Sequence, residues 1–142
     1  MHKVVSLCFI ALILATAGGT PVTSQSCLQA ILLDINMLRA ILPDNEGKLY
    51  TPKNAWEKCA KPAMECFTKE IIIIQEEHED NRNITNTIQN IQRNVKACWK
   101  GAAGDATKDN ECPPCESYRG ESYKTFLQYM MNLVQSAAHR RH

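Results

Sequence analysis

The sequence predicts an all-α protein: a four-helix bundle with up-up-down-down topology and two long crossover loops. Four segments repeat apolar residues at every third or fourth position, which is the helical period, and no segment of useful length alternates as a strand would. Two of the three connections between these segments are long and one is short. Only 6 of the 142 residues are Gly and 6 are Pro, which excludes collagen and Pro/Gly-rich disorder.

The N-terminal residues have the pattern of a secretory signal peptide. Lys3 precedes an apolar run over residues 4–17, and the run closes on a small residue, Ala17. We predict a signal peptide over residues 1–17, with cleavage possible as late as about residue 24. The run is shorter than the ~20 residues of a membrane-spanning helix, which argues against a signal anchor. A secreted protein without membrane insertion is therefore expected.

The bundle is predicted over residues 25–139, one helical domain. Pro43 ends the first helix, and Pro62 suits the first turn of the second. The apolar run at residues 71–74 could be a strand, but its flanks keep helical spacing. The third helix is expected to end before Gly101. The predicted helices are residues 27–42, 62–79, 84–98 and 123–137.

The lengths of the connections select the topology. A few polar residues near Asp80 join the second and third helices, so these helices are expected to be antiparallel neighbours. The first connection, residues 43–61, and the last, residues 101–117, are each close to 20 residues long. A helix of ~17 residues is about 25 Å long, so loops of this length can travel the whole bundle. Two such crossovers around one short turn predict the up-up-down-down order.

Six cysteines remain once the signal peptide, which contains Cys8, is removed. An even number in an oxidising compartment predicts three disulfides, for which 15 connectivities are possible. In the predicted topology the first helix starts, and the third ends, at the same end of the bundle. Cys27 and Cys98 lie at these two places, and we predict that they are bonded. Geometry alone does not pair the other four, which lie in or beside the crossovers: Cys59, Cys66, Cys112 and Cys115.

The sequence gives little support for catalysis or for nucleic-acid binding. A formal charge of +1 lacks the basic excess of a general nucleic-acid binder. The pair Cys112 and Cys115 could be a redox motif, but the βαβ pattern of that fold is absent. The four loop cysteines could instead bind zinc, although a secreted chain favours disulfides. His78, the only histidine in a predicted helix, stands among glutamates as a solvated helix end would. We expect no enzyme activity, no metal and no cofactor.

Two stretches anchored by cysteines carry a family resemblance. The first has Leu-Tyr-Thr at residues 49–51, Cys59, and Ala-Met-Glu-Cys-Phe at residues 63–67. The second has Cys-Pro-Pro-Cys-Glu at residues 112–116, Lys-Thr-Phe-Leu-Gln at residues 124–128 and Val-Gln at residues 134–135. In their order and spacing they resemble the interleukin-15 family of common γ-chain cytokines. The first helix is more similar to interleukin-2, and the run from residue 112 to residue 118 also resembles interleukin-21, so these two remain alternatives.

The resemblance implies a four-helix cytokine bundle and a function. A cytokine of this kind is a secreted monomer that brings together β and common γ receptor chains, with an α receptor chain, on lymphoid cells. The resemblance also implies that Cys59 pairs with Cys112, and Cys66 with Cys115. The predicted Cys27–Cys98 pair departs from the pattern of the mammalian interleukin-15 proteins. A secreted helical inhibitor, or a protein that binds a ligand in its core, is the alternative of a different class.

Three residues are candidates for the β and γ receptor chains. At about 100° per residue, Asp34 lies roughly 80° from the centre of the apolar stripe of the first helix. A carboxylate at such a border loses hydration in a complex unless it meets a donor. The resemblance implies that Asp34 and Asn90 contact the β chain. Gln135 follows two core residues and therefore turns toward solvent, and the resemblance implies that it contacts the common γ chain.

The acidic second helix carries the candidates for the α receptor chain. Glu70 and Glu77 are seven residues apart and share one helix face, which would attract a basic partner. The resemblance implies that these glutamates and Tyr50 contact the α chain. For all six candidates the plain alternative is an ordinary solvated side chain. Asn83 heads the sequon Asn-Ile-Thr near a helix start, and we predict that it is glycosylated.

Overall fold

Four long helices make up most of the part of the chain that the structure describes, as the sequence predicts. The computed structural model describes residues 24–44, 46–54, 58–103 and 112–140. The helices are α1 (Ser24–Ile41), α2 (Ala60–Glu77), α3 (Arg82–Ala103) and α4 (Tyr123–Arg140). The predicted signal peptide lies outside the described residues. Among the helices that are described, none is both long and apolar enough to cross a membrane.

The helices pack with α1 and α2 at opposite corners of the bundle. Both α1 and α2 pack mainly against α3 and α4. The Cys27–Cys98 disulfide joins the start of α1 to the last part of α3, so these two helices are antiparallel. Only residues 78–81 separate α2 from α3, and Tyr123 at the start of α4 contacts Glu77 at the end of α2. The bundle is therefore up-up-down-down, and the predicted fold class is confirmed.

The four apolar stripes meet in one core. Phe67 of α2 and Phe126 of α4 make an edge-to-face contact across it, with ring centroids 5.2 Å apart. Three polar or charged residues of the described chain are also buried, namely Thr51, Glu70 and Thr87. The largest side chains that are fully buried are Leu28, Ile31, Ile35, Leu38, Leu49, Met64, Phe67, Ile71, Ile74, Ile84, Tyr123 and Phe126.

Prolines set the limits of two helices. Pro43 stands two residues after the end of α1, because its ring keeps the preceding residue, Leu42, out of the helical region. Pro62 lies in the first turn of α2, where the backbone N–H groups have no partner within the helix and a missing one costs nothing. Both observations agree with the sequence prediction.

Most helix ends lie one to three residues from the predicted ones, and the end of α3 lies further away. α1 begins at Ser24, three residues before Cys27. The prediction that the third helix ends before Gly101 is wrong, because α3 continues through this glycine to Ala103. Glycine inside a helix costs only about 1 kcal/mol relative to alanine. Trp99, two residues before this glycine, is still buried in the core.

A short β-pair joins the two crossovers, and the sequence did not predict it. Strand β1 (Leu49–Tyr50) in the first crossover pairs antiparallel with β2 (Gly120–Glu121) in the second. The Thr51 N–H extends the ladder by donating to the Arg119 carbonyl at 3.1 Å. Two residues per strand are too few for an alternating pattern to show. The pairing fixes Tyr50 against the rest of the protein.

Three disulfides hold the bundle and its crossovers. Cys27 pairs with Cys98 at a Cα–Cα distance of 6.1 Å, Cys59 with Cys112 at 5.6 Å, and Cys66 with Cys115 at 5.3 Å. These are the three pairs expected above. Cys112 and Cys115 bond to different partners, so they do not form one redox pair. The sulfurs of Cys59, Cys66, Cys112 and Cys115 are all in disulfides, so none of them is a free thiolate for a zinc site.

The ring of Tyr123 joins three parts of the structure. Tyr123 is fully buried, and its N–H donates to the Glu46 carbonyl at 2.8 Å. Its hydroxyl donates to the Glu77 carboxylate, and its ring packs edge-to-face with that of His78, with ring centroids 5.9 Å apart. Gly47 lies over the same ring with φ of +95°, where a Cβ atom would overlap the ring carbons. The first crossover can therefore approach α4 closely only because residue 47 is glycine.

Gly47→Ala is therefore expected to destabilise the protein. The added methyl group would meet Tyr123, and the left-handed backbone would also be strained, so the free energy of unfolding should fall by about 2 kcal/mol or more. Thermal unfolding should show a loss of roughly 6 °C or more in Tm. Gly120→Ala is the matched control, because its Cβ would meet only the side chain of exposed Lys48, which can turn aside. Equal losses in the two variants would contradict this account.

Candidate functional site

A row of large apolar side chains lies on the outside of α1. Leu33, Met37 and Ile41 are 69%, 51% and 45% exposed, and their spacing of four places them along one outer face. We call these three residues the α1 apolar stripe. Single exposed apolar residues are common, but a contiguous row bordered by polar groups marks an interaction site.

Asp34 stands beside the α1 apolar stripe and is only partly exposed. No hydrogen bond or ion pair with another described residue satisfies its carboxylate. Burial raises the pKa of Asp34 above its ordinary value, because the surrounding apolar groups disfavour the charged form. The Asp34 carboxylate has thus already lost part of its hydration in the free protein, and no other described residue donates a hydrogen bond to it.

The pairing of α1 with α3 sets which residues lie level with Asp34. The Cys27–Cys98 disulfide fixes one end of this antiparallel pair, and the Thr87 hydroxyl lies 3.7 Å from the Met37 sulfur further along. Counting along both helices between these two contacts places Asn90 level with Asp34. Asn90 is exposed. The two candidates for the β chain therefore lie on neighbouring helices at the same height, at the border of the α1 apolar stripe.

Gln135 lies at the other flank of α1. It is exposed on α4 and follows the buried residue Val134, as the helical period predicts. Arg39 of α1 reaches across to α4, where its Nη1 atom lies 3.8 Å from the sulfur of Met131. Because α1 lies between α3 and α4, Gln135 and Asp34 are on two separate edges of the bundle.

Glu70 does not face outward, contrary to the sequence expectation. It is only 6% exposed, and its Oε1 atom accepts a hydrogen bond from the Tyr50 backbone N–H at 2.8 Å. The seven-residue spacing placed Glu70 on the face of Glu77, but it could not show that the first crossover covers this part of α2. Tyr50 itself is 40% exposed. Glu70 thus holds the backbone of the residue that reaches solvent.

The end of α2 is acidic and tightly packed. Glu77 is exposed, and its carboxylate accepts the hydroxyl of Tyr123. His78 is not the solvated helix end that the sequence suggested. Its Nδ1 atom lies 3.1 Å from the Ile74 carbonyl, and its Nε2 atom lies 3.5 Å from the Glu46 carboxylate. At this end of the molecule the first crossover is held against α2, and the negatively charged side chain of Glu77 is exposed.

Asn83 is exposed in the first turn of α3. The side chain of Asn81, not that of Asn83, caps this helix, because Asn81 Oδ1 accepts the Ile84 N–H at 3.2 Å. The Asn83 side chain therefore takes no part in the cap, and a glycan at this position would extend into solvent.

Comparisons with known proteins agree with this arrangement. A sequence model of the family described as Interleukin 15 matches residues 6–138. Interleukin-15 of Felis catus is 24% identical over 137 residues, which cover 94% of this chain and 82% of the relative. Interleukin-15 of Macaca mulatta is 25% identical over 124 residues, and that of Homo sapiens is 24% identical over 121 residues; each match covers 84% of this chain and 72% of the relative. The chain belongs to the interleukin-15 family and is a cytokine of the interleukin-2 family.

Proposed function

We propose that this cytokine signals by bringing together a β and a common γ receptor chain on lymphoid cells, with an α receptor chain bound to the same molecule. The observation that carries the proposal is the α1 apolar stripe with Asp34 at its border. Three exposed apolar side chains and a partly buried carboxylate that no other described residue satisfies are costly on a free surface. A receptor surface with an apolar centre and one hydrogen-bond donor would relieve both costs.

The β chain occupies the edge between α1 and α3 in this proposal. The α1 apolar stripe supplies the dry centre of the interface, and Asn90 supplies a neutral donor and acceptor beside Asp34. A donor on the receptor, such as an arginine or a hydroxyl, pairs with the Asp34 carboxylate. A charge-assisted bond in so apolar a setting contributes both affinity and orientation.

The common γ chain occupies the edge at Gln135. A glutamine there offers a donor and an acceptor without a charge to desolvate, which suits a receptor chain shared by several cytokines. Because Asp34 and Gln135 lie on separate edges of α1, one cytokine can hold both receptor chains at once. This geometry supports a molecule that signals by bringing receptors together.

In this proposal the α chain contacts Tyr50 in the first crossover and Glu77 at the end of α2. Glu70 is buried and acts by positioning Tyr50. The carboxylate of Glu70 fixes the backbone of Tyr50, and the β1–β2 pair holds the same segment from the other side. A preformed loop loses little conformational entropy on binding, so positioning contributes directly to affinity. The exposed negative charge suits a basic partner and fast, salt-sensitive association.

Secretion and glycosylation are expected for a member of this family. The three disulfides suit an oxidising compartment, which supports export of the mature chain after removal of residues 1–17 or slightly more. Glycosylation at Asn83 would place a glycan at the start of α3.

Surface binding of the purified mature protein to separate α, β and γ receptor ectodomains tests the proposal. We expect binding to the α and β chains alone, and recruitment of the γ chain once the β chain is bound. Binding without any receptor phosphorylation in responding cells would instead favour a secreted inhibitor. No binding to any of the three ectodomains would overturn the proposed function.

Asp34→Asn separates binding from stability. The variant should weaken β-chain binding by about tenfold or more, roughly 1.4 kcal/mol, because it removes the charged acceptor. Because burial raises the pKa of Asp34, ionisation of this group opposes folding at neutral pH. Tm should therefore be unchanged or slightly higher in the variant at pH 7, and any advantage should vanish as the pH falls below about 3.8, the ordinary pKa. A clear loss of Tm at pH 7 would show that the carboxylate stabilises the fold.

Substitutions at two glutamates distinguish contact from positioning at the α-chain site. Glu77→Lys should weaken α-chain binding by more than about tenfold with unchanged circular dichroism, because it reverses an exposed charge. It also removes the acceptor of the Tyr123 hydroxyl, so Tm should fall. Glu70→Gln keeps an oxygen that can accept the Tyr50 N–H, so α-chain affinity should stay within about threefold. Glu70→Lys leaves that N–H without its acceptor and should weaken binding by more than about tenfold. If Glu70→Gln weakens binding as strongly as Glu70→Lys, the charge itself acts and positioning is the wrong explanation.

Gln135→Asp should convert the cytokine into a competitive antagonist. The substitution places a charge where a neutral amide meets the γ chain, and the exposed position leaves the fold intact. We expect normal β-chain binding, loss of γ-chain recruitment and loss of receptor-proximal phosphorylation in responding cells. Full signalling by this variant would show that Gln135 is ordinary surface and that the γ contact lies elsewhere.

A further inference from the structure

The four methionines in the described part of the chain differ sharply in exposure. Met64, Met130 and Met131 are 1%, 0% and 8% exposed, and all three lie within the core. Met37 is 51% exposed on the outside of α1. A reagent that attacks a thioether from solvent therefore meets Met37 first.

The sulfur of Met37 is also only weakly engaged. The nearest hydroxyl, on Thr87, has a single proton and lies 2.7 Å from the Asn83 carbonyl but 3.7 Å from the Met37 sulfur. The shorter contact takes the proton, since sulfur is the weaker acceptor. The lone pairs of the Met37 sulfur are thus available to an oxidant.

From this geometry we propose that Met37 is a selective oxidation site, at which hydrogen peroxide controls binding of the β receptor chain. The sulfur attacks the peroxide oxygen, the O–O bond breaks, and the products are methionine sulfoxide and water. The sulfur is oxidised and the peroxide is reduced, so no other reactant is needed. The part of this inference that concerns binding rests on the proposed function of the α1–α3 edge.

Oxidation changes the centre of the α1 apolar stripe. Met37 lies between Leu33 and Ile41, and a sulfoxide there is polar and chiral where the thioether was apolar. Its oxygen would have to be desolvated against the receptor without an assigned donor. The same change leaves the core untouched, because Met37 does not belong to it. Oxidation should thus lower β-chain affinity without unfolding the protein.

The first measurement locates the oxidation. The mature protein is treated with a series of hydrogen peroxide concentrations, and peptide mass spectrometry follows the gain of one oxygen at each methionine. We expect Met37 to react at least about tenfold faster than Met64, Met130 and Met131, because exposure controls access. Similar rates at all four methionines would overturn the selectivity.

The second measurement links oxidation to binding. Peroxide-treated protein should bind the β-chain ectodomain at least about tenfold more weakly, with circular dichroism and α-chain binding unchanged. Peroxide treatment should not change the β-chain affinity of Met37→Leu, whatever the affinity of that variant before treatment, whereas Met131→Leu should lose affinity on treatment as the unmodified protein does. Met37→Gln, which places a polar group of similar length in the stripe, should lower β-chain affinity without any oxidant.

The outcomes separate this inference from the proposed function. If untreated protein binds the β chain and oxidation at Met37 leaves that affinity unchanged, the inference fails and the proposed function stands. If untreated protein does not bind the β chain, the proposed function fails together with the control of binding. The peptide masses then still decide whether Met37 is the selective oxidation site.

Discussion

The antiparallel pairing of α1 with α3 is the constraint on which the binding surfaces depend. The Cys27–Cys98 disulfide fixes one end of the pair, and the contact between Met37 and Thr87 shows the same register further along. This register brings Asp34 level with Asn90, although the two residues are far apart in the sequence. A shift of α3 by one turn, about 5.4 Å, would separate them. The disulfide thus supports a composite surface as well as stability.

In the described part of the chain, interaction partners are missing where binding is proposed, whereas two buried polar side chains beside the crossovers have hydrogen-bond partners. Glu70 and Tyr123 are buried in the crossover region, and each has a defined partner. Asp34 and the α1 apolar stripe lack such partners among the described residues. The hydrogen bonds of Glu70 and Tyr123 stabilise the isolated protein. Asp34 and the α1 apolar stripe gain their partners only in a complex. These unmet interactions favour a binding role for Asp34 and the α1 apolar stripe.

The sequence predicted the four helices and their order because apolar period and connection length are local properties that survive in the fold. It also predicted the Cys27–Cys98 pair from topology. It missed the β1–β2 pair and the burial of Glu70, because both depend on where a crossover lands on the bundle. It also ended α3 too early at Gly101, since a single glycine costs only about 1 kcal/mol relative to alanine and does not by itself end a helix. The α1 apolar stripe went unnoticed because only Gln29, Asp34, Asn36 and Arg39 are polar between Leu28 and Leu42, so the sequence alone did not separate core from surface.

Photo-crosslinking tests most directly whether two receptor chains occupy two separate edges of the bundle. A benzoylphenylalanine is placed at Asn90, at Gln135, or at Ile72 on the outer face of α2 as a control, and each protein is irradiated with a mixture of β and γ ectodomains. The account predicts that position 90 crosslinks to the β chain, that position 135 crosslinks to the γ chain, and that position 72 crosslinks to neither. Crosslinking of positions 90 and 135 to the same receptor chain, or of position 72 to the β chain, would contradict it.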